Sequence, residues 1–239
     1  MERERPQTAA RVERHTVEVI QTTDITSWYR RLDCAGHGLL PQLSLAPASY
    51  LLLHFADSAS EAARTAGEAP GPRAYTIVRP DVAADRFSLD FVLHEPPGLA
   101  SAWAAQAVPG TTIEVSEPPH HLVVPAPLRH ALLVGDASAA AALDSILRCL
   151  PASAQATVLF IDPHADRDAV PLAARPGTVT RRLPTLADAD LALPPLDPAA
   201  SWLWAAGERA LAKQVRLFAR ASALPRDRQH IQTYWVARA

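Results

Sequence analysis

Residues 73–76 read Arg-Ala-Tyr-Thr, and they open a run, residues 73–78, that predicts a β-strand. Side chains alternate along a strand, so Arg73 and Tyr75 should lie on one face, and Ala74 and Thr76 on the other. An arginine can bind a phosphate through two N–H groups, a tyrosine can cover a flat ring, and a threonine hydroxyl can bond a ring nitrogen. On its own, the pattern also fits an ordinary barrel strand with an exposed arginine.

Short segments of the same kind recur from His15 to about Pro119, separated by Gly, Pro, Asp and Ser clusters. This alternation of strand-like segments and turn residues predicts an antiparallel sheet or barrel. The predicted strands cover residues 16–21, 50–55, 73–78, 87–93 and 112–115. We expect short helices at 58–67 and at 101–107, the second with Ser101 as its N-cap.

This pattern of strands and turns ends at Pro125 and Pro127, which favour an extended connector. Beyond it, strands and helices alternate, which predicts a parallel α/β layer. The predicted strands cover 131–134, 157–161, 178–181, 201–205 and 230–237, and the predicted helices cover 138–149 and 208–221. We therefore divide the chain into domains 1–124 and 125–239.

Length, composition and charge exclude several classes of function. The chain has 239 residues, 49% of them hydrophobic, so it can bury a core without disulfides or metals. A net charge of -2 does not indicate nucleic acid as a partner. The two cysteines are too far apart in sequence to indicate a zinc site, and no apolar run approaches the ~20 residues that span a bilayer. We expect a cytoplasmic protein that does not bind a membrane.

Two further motifs follow the Arg-Ala-Tyr-Thr strand. A predicted strand ends in Leu93-His94, and Gly98-Leu99-Ala100-Ser101-Ala102-Trp103-Ala104 follows it. In this order the motifs resemble the siderophore-interacting, or ferric-siderophore reductase, family of the ferredoxin reductase superfamily. The resemblance implies an antiparallel six-stranded FAD-binding β-barrel followed by a small parallel α/β nucleotide-binding-like domain.

The resemblance also implies roles for single residues. Arg73 and Ser101 would bind the FAD phosphates, Tyr75 the flavin or ribityl face, and Thr76 the edge of the flavin ring, while His94 would position the cofactor. Gly98 would let the backbone approach, and the N–H groups that begin the helix would face the pyrophosphate. The complete cofactor-binding set is Arg73, Ala74, Tyr75, Thr76, Asp90, Val92, His94, Gly98, Ala100, Ser101, Trp103, Asp136 and Ser138.

Asp136 and Ser138 lie in the turn Gly135-Asp136-Ala137-Ser138, at a predicted strand-to-helix junction. This turn resembles the family's Gly-Asp-Glu-Thr-Ala turn on the nicotinamide side, although Asp136 also fits a simple helix cap. Ala206-Gly207-Glu208 resembles the family's Ala-Gly-Glu turn. The chain has no Gly-x-Gly-x-x-Gly fingerprint, so the motif does not support a tightly held dinucleotide in the second domain.

The implied function is FAD-dependent reduction of a ferric siderophore, with electrons from NADH, NADPH or a ferredoxin. It needs no catalytic acid or base and no protein ligand to a metal. Basic candidates for binding the siderophore are Arg79, Arg129, Lys213 and Arg216, beside His120 and His121, and each also fits a solvated surface position. The acid in the 116–121 segment, Ser-Glu-Pro-Pro-His-His, departs from the family pattern. A flavin reductase and a flavin-less siderophore-binding protein remain alternatives.

Overall fold

The computed structural model describes residues 13–55, 71–118, 122–185, 187 and 193–237, and the predicted helix at 58–67 lies outside them. The described residues form an antiparallel sheet of seven strands and a parallel sheet of five. The predicted fold class, an antiparallel barrel followed by a parallel α/β layer, is therefore confirmed. Within the described ranges, no helix is long and apolar enough to cross a membrane.

The first sheet is barrel-like and contains the first seven strands of the chain. Its spatial order is β4-β3-β7-β1-β2-β6-β5, and all neighbouring pairs are antiparallel. One helix, α1 (Leu99–Gln106), follows the sixth strand. The strands are β1 (His15–Asp24), β2 (Tyr29–Ala35), β3 (Tyr50–His54), β4 (Arg73–Thr76), β5 (Val78–Asp81), β6 (Arg86–Val92) and β7 (Thr112–Ser116).

Residues 73–81 close this sheet on itself. β4 and β5 stand at opposite ends of the strand order, yet only Ile77 separates them in the chain. The chain changes partners there, because the Ile77 N–H donates to the Ser49 carbonyl at 2.8 Å, whereas Val78 already pairs with Ser88 of β6. The predicted count of six strands is therefore wrong: the run predicted as one strand at 73–78 is two strands that together close the barrel.

Apolar side chains from the strands fill the barrel. Val17, Leu32, Leu51, Leu89 and Val115 come from five different strands, and each is at most 1% exposed. Side chains alternate between the two faces of a strand, so one face of each strand supplies this core and the other face is left for solvent or a ligand. On β4, Tyr75 packs against this core, whereas Ala74 is exposed.

The second sheet has the order β10-β9-β8-β11-β12, and every neighbouring pair is parallel. The carboxyl ends of all five strands consequently meet at one edge, where α/β proteins bind nucleotides. The strands are β8 (His130–Gly135), β9 (Gln155–Ile161), β10 (Thr178–Leu183), β11 (Ser201–Glu208) and β12 (Gln229–Trp235), and the helices are α2 (Ala140–Cys149) and α3 (Arg209–Ala221). The proposed boundary at 124/125 falls in the connector between β7 and β8.

The barrel packs directly on the second sheet. Trp28 and Tyr29 of the barrel belong to the same buried cluster as Leu143 and Ile146 of α2. A hydrogen bond of 3.0 Å from the Ala48 N–H to the Ser145 hydroxyl adds a polar contact. The two layers therefore have a fixed relation, which matters because the predicted cofactor residues come from both.

Candidate flavin site

The predicted phosphate and flavin residues lie on β4, which pairs with β3. In this register Thr76 faces Tyr50, Tyr75 faces Leu51 and Arg73 faces Leu53. Arg73, Tyr75 and Thr76 are half-buried and Ala74 is exposed, so a ligand can reach this strand. The Arg73 guanidinium donates to the Gly71 carbonyl at 2.8 Å, which holds its side chain along the strand.

An aromatic cluster lies beside this strand. The ring of Tyr75 lies on Phe91 of β6, with centroids 4.2 Å apart and planes inclined by 31°. Phe91 contacts Trp103 of α1 at 5.7 Å, and Trp103 meets Phe55 edge-on at 5.8 Å. The structure therefore brings together Tyr75 and Trp103, which the sequence placed in one site, through a buried phenylalanine that the sequence analysis did not single out.

The turn after β6 positions the start of α1. The N–H of His94 donates to the Ser101 hydroxyl at 3.2 Å, and its Nδ1 donates to the Pro96 carbonyl at 2.8 Å. The prediction that Ser101 is the N-cap is wrong, because the N-cap is Gly98, which has no side chain to cap with. Ser101 is instead buried in the first turn, where its hydroxyl ties the helix to the end of β6.

The absence of a side-chain cap matters for an anion. The first turn of a helix presents backbone N–H groups and the positive end of the helix dipole, and α1 has no side-chain cap and no acidic residue there. Ala100 is buried beside Ser101, so the backbone rather than a side chain forms this surface. A phosphate group fits such an end.

Asp90 and Val92, two further predicted cofactor residues, lie on β6 facing β2. The Asp90 carboxylate accepts two bonds from Arg31, each 2.7 Å, and one of 3.0 Å from the Tyr29 hydroxyl. Burial and the Asp90 charge raise the pKa of Tyr29 well above its usual value. Val92 is half-buried and pairs with Tyr29. The Asp90 side chain thus serves a buried ion pair, and a cofactor role for it stays a prediction.

Asp136 stands at the carboxyl edge of the parallel sheet, directly after β8. Its carboxylate accepts bonds from the N–H and hydroxyl of Ser138, from the Glu208 N–H at 2.7 Å and from the Trp235 indole at 2.9 Å. Burial raises the pKa of Asp136, although these donors act in the opposite direction. Asp136 therefore links the ends of β8, β11 and β12 through hydrogen bonds. Its bond to the Ser138 N–H also makes it the helix cap that the sequence offered as an alternative.

Tyr50 of the barrel and Tyr234 of the parallel sheet lie between the two halves of the predicted site. Burial, then the proximity of Tyr50 and of Asp136, raises the pKa of Tyr234. Tyr50 is the strand partner of Thr76, so the expected flavin edge on the barrel lies near the end of β12. Tyr234 is therefore near Tyr50 of the barrel and Asp136 of the parallel sheet. The junction of Tyr50 and Thr76 with Asp136 and Tyr234 is called the cleft below. The role of Tyr50 had no signal in the sequence, because only the register reveals it.

The four basic candidates for siderophore binding do not form a cluster. Arg129 precedes β8 at the amino edge of the parallel sheet, a strand length from Asp136, and Arg79 is exposed on β5 of the barrel. Lys213 and Arg216 are exposed on α3. A substrate role for all four together stays a prediction that this arrangement does not favour.

The segment 116–121, which departs from the family pattern, is only partly described. Ser116 is fully buried, and its hydroxyl bonds the His54 imidazole at 2.8 Å. Burial lowers the pKa of His54, as does the neighbouring Arg14. Residues 119–121, including His120 and His121, lie outside the described residues. Among the residues that are described, no group of three or more His, Cys, Asp or Glu side chains could hold a metal ion.

These features fit FAD. A half-buried tyrosine ring shares its strand with an arginine and contacts Phe91 of β6, and the helix that follows β6 begins without a side-chain cap. An isoalloxazine ring needs a flat apolar surface with polar groups at its edge, which Tyr75 and Thr76 supply, and a pyrophosphate needs the donors that Arg73 and α1 supply.

Comparison with protein-family models covers almost the whole chain. The siderophore-interacting FAD-binding domain matches residues 18–122, and the siderophore-interacting protein model matches residues 128–238. The mycobactin import ATP-binding/permease protein IrtA of Mycobacterium tuberculosis is 30% identical over 230 residues, which are 93% of this chain and 26% of that protein. The chain thus spans about a quarter of the length of this relative. The ferric vibriobactin reductase ViuB of Vibrio cholerae is 32% identical over 101 residues, covering 41% of this chain and 36% of that protein.

Solved structures show the same fold. The siderophore-interacting protein of Acinetobacter baumannii superposes with a TM-score of 0.79 at 23% identity, over 94% of this chain and 91% of that one. The ferredoxin reductase in carbazole 1,9a-dioxygenase gives a TM-score of 0.69 at 14% identity, over 95% of this chain and 71% of that one. The chain thus shares its fold with these proteins. It belongs to the siderophore-interacting protein family.

Proposed function

We propose that this chain binds FAD along β4 and reduces the ferric iron of a bound siderophore to Fe(II), which is released in the cytoplasm. The observation that carries the proposal is the accessible strand β4, where Arg73, Tyr75 and Thr76 are half-buried and Tyr75 contacts Phe91, which in turn contacts Trp103 of α1. The barrel would hold the cofactor, and the parallel sheet would admit an electron donor. That ViuB is named a ferric vibriobactin reductase supports the reaction.

The chain's own residues have binding and orienting roles. Arg73 and the first turn of α1 would hold the pyrophosphate, with His94 and Ser101 fixing the position of that turn. Tyr75 would cover the flavin or ribityl face, and Thr76 would bond the edge of the ring. When bound, FAD supplies the redox chemistry: it takes two electrons from a reduced nicotinamide, or single electrons from a ferredoxin, and gives them up one at a time.

No acid or base of the protein is required for the iron step. One electron converts Fe(III) to Fe(II), so one NADH or NADPH supplies enough electrons for two ferric chelates. Hard oxygen ligands hold ferric iron much better than ferrous iron, and reduction alone therefore loosens the complex. A cytoplasmic site is supported by the cysteines, since Cys34 and Cys149 are both free.

The test is the visible spectrum of the purified protein, followed by anaerobic addition of NADPH or NADH and then of a ferric chelate. Flavin bands that bleach with the reductant and return with the chelate, together with Fe(II) trapped by a chromogenic chelator, are the expected result. A colourless protein that also fails to bind added FAD would overturn the proposal in favour of a flavin-less binding protein. Faster turnover of free flavins than of ferric chelates would instead indicate a flavin reductase.

A further inference from the structure

Helix α3 carries an unusual concentration of positive charge. Its sequence, Arg-Ala-Leu-Ala-Lys-Gln-Val-Arg-Leu-Phe-Ala-Arg-Ala, contains four cations and no acid, although the chain as a whole has a net charge of -2. The cations are Arg209, Lys213, Arg216 and Arg220, and all four are exposed. At 3.6 residues per turn, their spacing of four, three and four places them within about 60° of one another around the helix. We call these four residues the basic stripe.

Among the described residues, no acidic side chain neutralises the basic stripe. Within the part of the chain that the structure describes, none of its members forms an ion pair, and Arg216 donates to a neutral group, the Ile231 carbonyl, at 3.1 Å. Other arginines behave differently: Arg31 pairs with Asp90, and Arg148 pairs with Asp144. The charge of the stripe is therefore available to an external partner.

The helix is held rigidly, with one end at the cleft. Leu211, Ala212, Val215 and Ala219 are buried against the parallel sheet. Glu208, the N-cap of α3, donates its N–H to Asp136, which lines the cleft. The basic stripe thus begins next to the cleft at Arg209 and extends about 17 Å along the helix, at 1.5 Å per residue.

We propose that the basic stripe docks an acidic protein, and that this protein is the electron donor to the flavin, a small acidic iron–sulfur protein of the ferredoxin class. The inference rests on the proposed function and specifies its donor. A siderophore or a nicotinamide contacts only one or two cations of a 17 Å row on a convex helix, whereas an acidic protein surface contacts all four. Such charge complementarity steers association and orients the partner at the cleft.

A lipid surface is the less favoured partner. The apolar side of α3 is turned into the sheet, and Leu217, at 56% exposed, is the large apolar side chain that the helix offers to solvent. Helices that lie in a bilayer surface instead place their apolar face in the lipid. Lys213 and Arg216, predicted from the sequence as siderophore contacts, are reassigned here to donor docking.

Lys213 makes a selective test possible, because it is the chain's single lysine. A carbodiimide joins a lysine amine directly to a carboxylate that it contacts. With a purified plant-type [2Fe–2S] ferredoxin as the probe, we expect a one-to-one product whose cross-linked peptide contains Lys213. The product should disappear in 0.5 M salt, as expected for screened charges, and in Lys213→Arg, which keeps the charge but not the amine. A product joined only through the N-terminal amine, or no product, would overturn the proposal.

A second test reverses charge without touching Lys213. The variant Arg209→Glu/Arg220→Glu should weaken ferredoxin binding, measured calorimetrically at low salt, at least tenfold. Its matched control is Arg86→Glu/Arg181→Glu, which reverses two exposed arginines elsewhere and should leave the affinity unchanged. The FAD content of the wild-type protein is measured separately. A wild-type protein without FAD contradicts the proposed function, whereas a wild-type protein with FAD that does not bind ferredoxin contradicts the docking proposal. Binding to phosphatidylserine vesicles that the stripe variant abolishes, with ferredoxin binding unaffected, would assign the stripe to a membrane instead.

Discussion

The indole of Trp28 in the barrel lies flat on the imidazole of His164 in the parallel α/β domain, with ring centroids 4.0 Å apart and planes 12° apart. The Trp28 Nε1–H donates to the Asp166 carboxylate at 2.6 Å, and the His164 Nδ1 lies 2.7 Å from Asp162. Trp28 is 6% exposed, whereas His164 and Asp166 are exposed, so the indole is buried beneath these two polar side chains. Because the cleft has one wall on each domain, this contact helps to fix the distance between the walls.

Removing the indole N–H should weaken the link between the domains. Trp28→Phe keeps an aromatic ring but loses the bond to Asp166, and we expect the free energy of unfolding to fall by about 1–2 kcal/mol. Urea denaturation measures this free energy of unfolding. Asp166→Ala should cost a similar amount, and the double variant should cost little more than either single one, since both changes delete the same bond. Additive losses would show that the bond contributes nothing.

The ring of Tyr75 should decide how tightly FAD binds. Tyr75→Ala removes the ring that rests on Phe91, and we expect the dissociation constant for FAD to rise about tenfold, equivalent to 1.4 kcal/mol. Quenching of flavin fluorescence during titration measures this constant. Tyr75→Phe keeps the ring and should bind FAD nearly as well as the wild type. An unchanged constant in Tyr75→Ala would remove Tyr75 from the site.

Gly207 should not tolerate any side chain. Its φ is +146°, and a Cβ there would lie 2.5 Å from an Asp136 carboxylate oxygen. We expect Gly207→Ala to lower the free energy of unfolding by about 2–4 kcal/mol, from backbone strain and from displacement of Asp136. Gly110→Ala is the matched control, with a φ of +93° but open space around the new methyl group. Equal losses for the two variants, by urea denaturation, would mean that the contact with Asp136 has no effect.

The stability of the fold should depend on pH through His130. Burial lowers the pKa of His130, so the folded protein binds its proton less readily than the unfolded chain does. The stability that the neutral ring contributes is present above the ordinary pKa of about 6.5, and it is lost as the pH falls through the lower folded value.

The variant His130→Gln should therefore lose less stability than the wild type between pH 7.5 and 5.5. Urea denaturation at several pH values measures the difference. Thr157→Val removes the hydroxyl that bonds the imidazole at 3.0 Å but keeps the ring, so it should retain the wild-type pH dependence. Parallel pH curves for the wild type and His130→Gln would contradict the role given to burial.

The predictable parts of the fold were those with a strong local pattern. The alternating strands and helices after the two prolines have nearly the bounds that the sequence predicted, because the three central strands β8, β9 and β11 are buried and mainly apolar. Strand β2 was missed, since Tyr29–Ala35 has no β-branched residue and carries Arg30, Arg31 and Asp33. Its charges are tolerated through partners such as Asp90, 59 residues from Arg31, which no local pattern reveals.

The candidate site shows the same division. The Arg-Ala-Tyr-Thr strand and the Gly98 turn could be found from their order in the sequence. The hydrogen bonds of Asp136 to Glu208 and Trp235 could not, because they depend on how three parallel strands end at one edge. The N-cap of α1 was misplaced for a related reason: a serine in a first turn fits a capping pattern, but here its hydroxyl bonds a residue outside the helix.

The position of Asp136 bears on how the protein is made. A ribosome releases the chain in sequence order, and domains fold as their segments emerge. All barrel strands precede Asp136, whereas the indole that completes its set of donors belongs to a residue 99 positions later. The barrel can close while synthesis continues, but the donor side of the cleft is assembled only when Trp235 has left the exit tunnel. A nascent chain therefore completes the surface proposed for the cofactor before it completes the surface proposed for the electron donor.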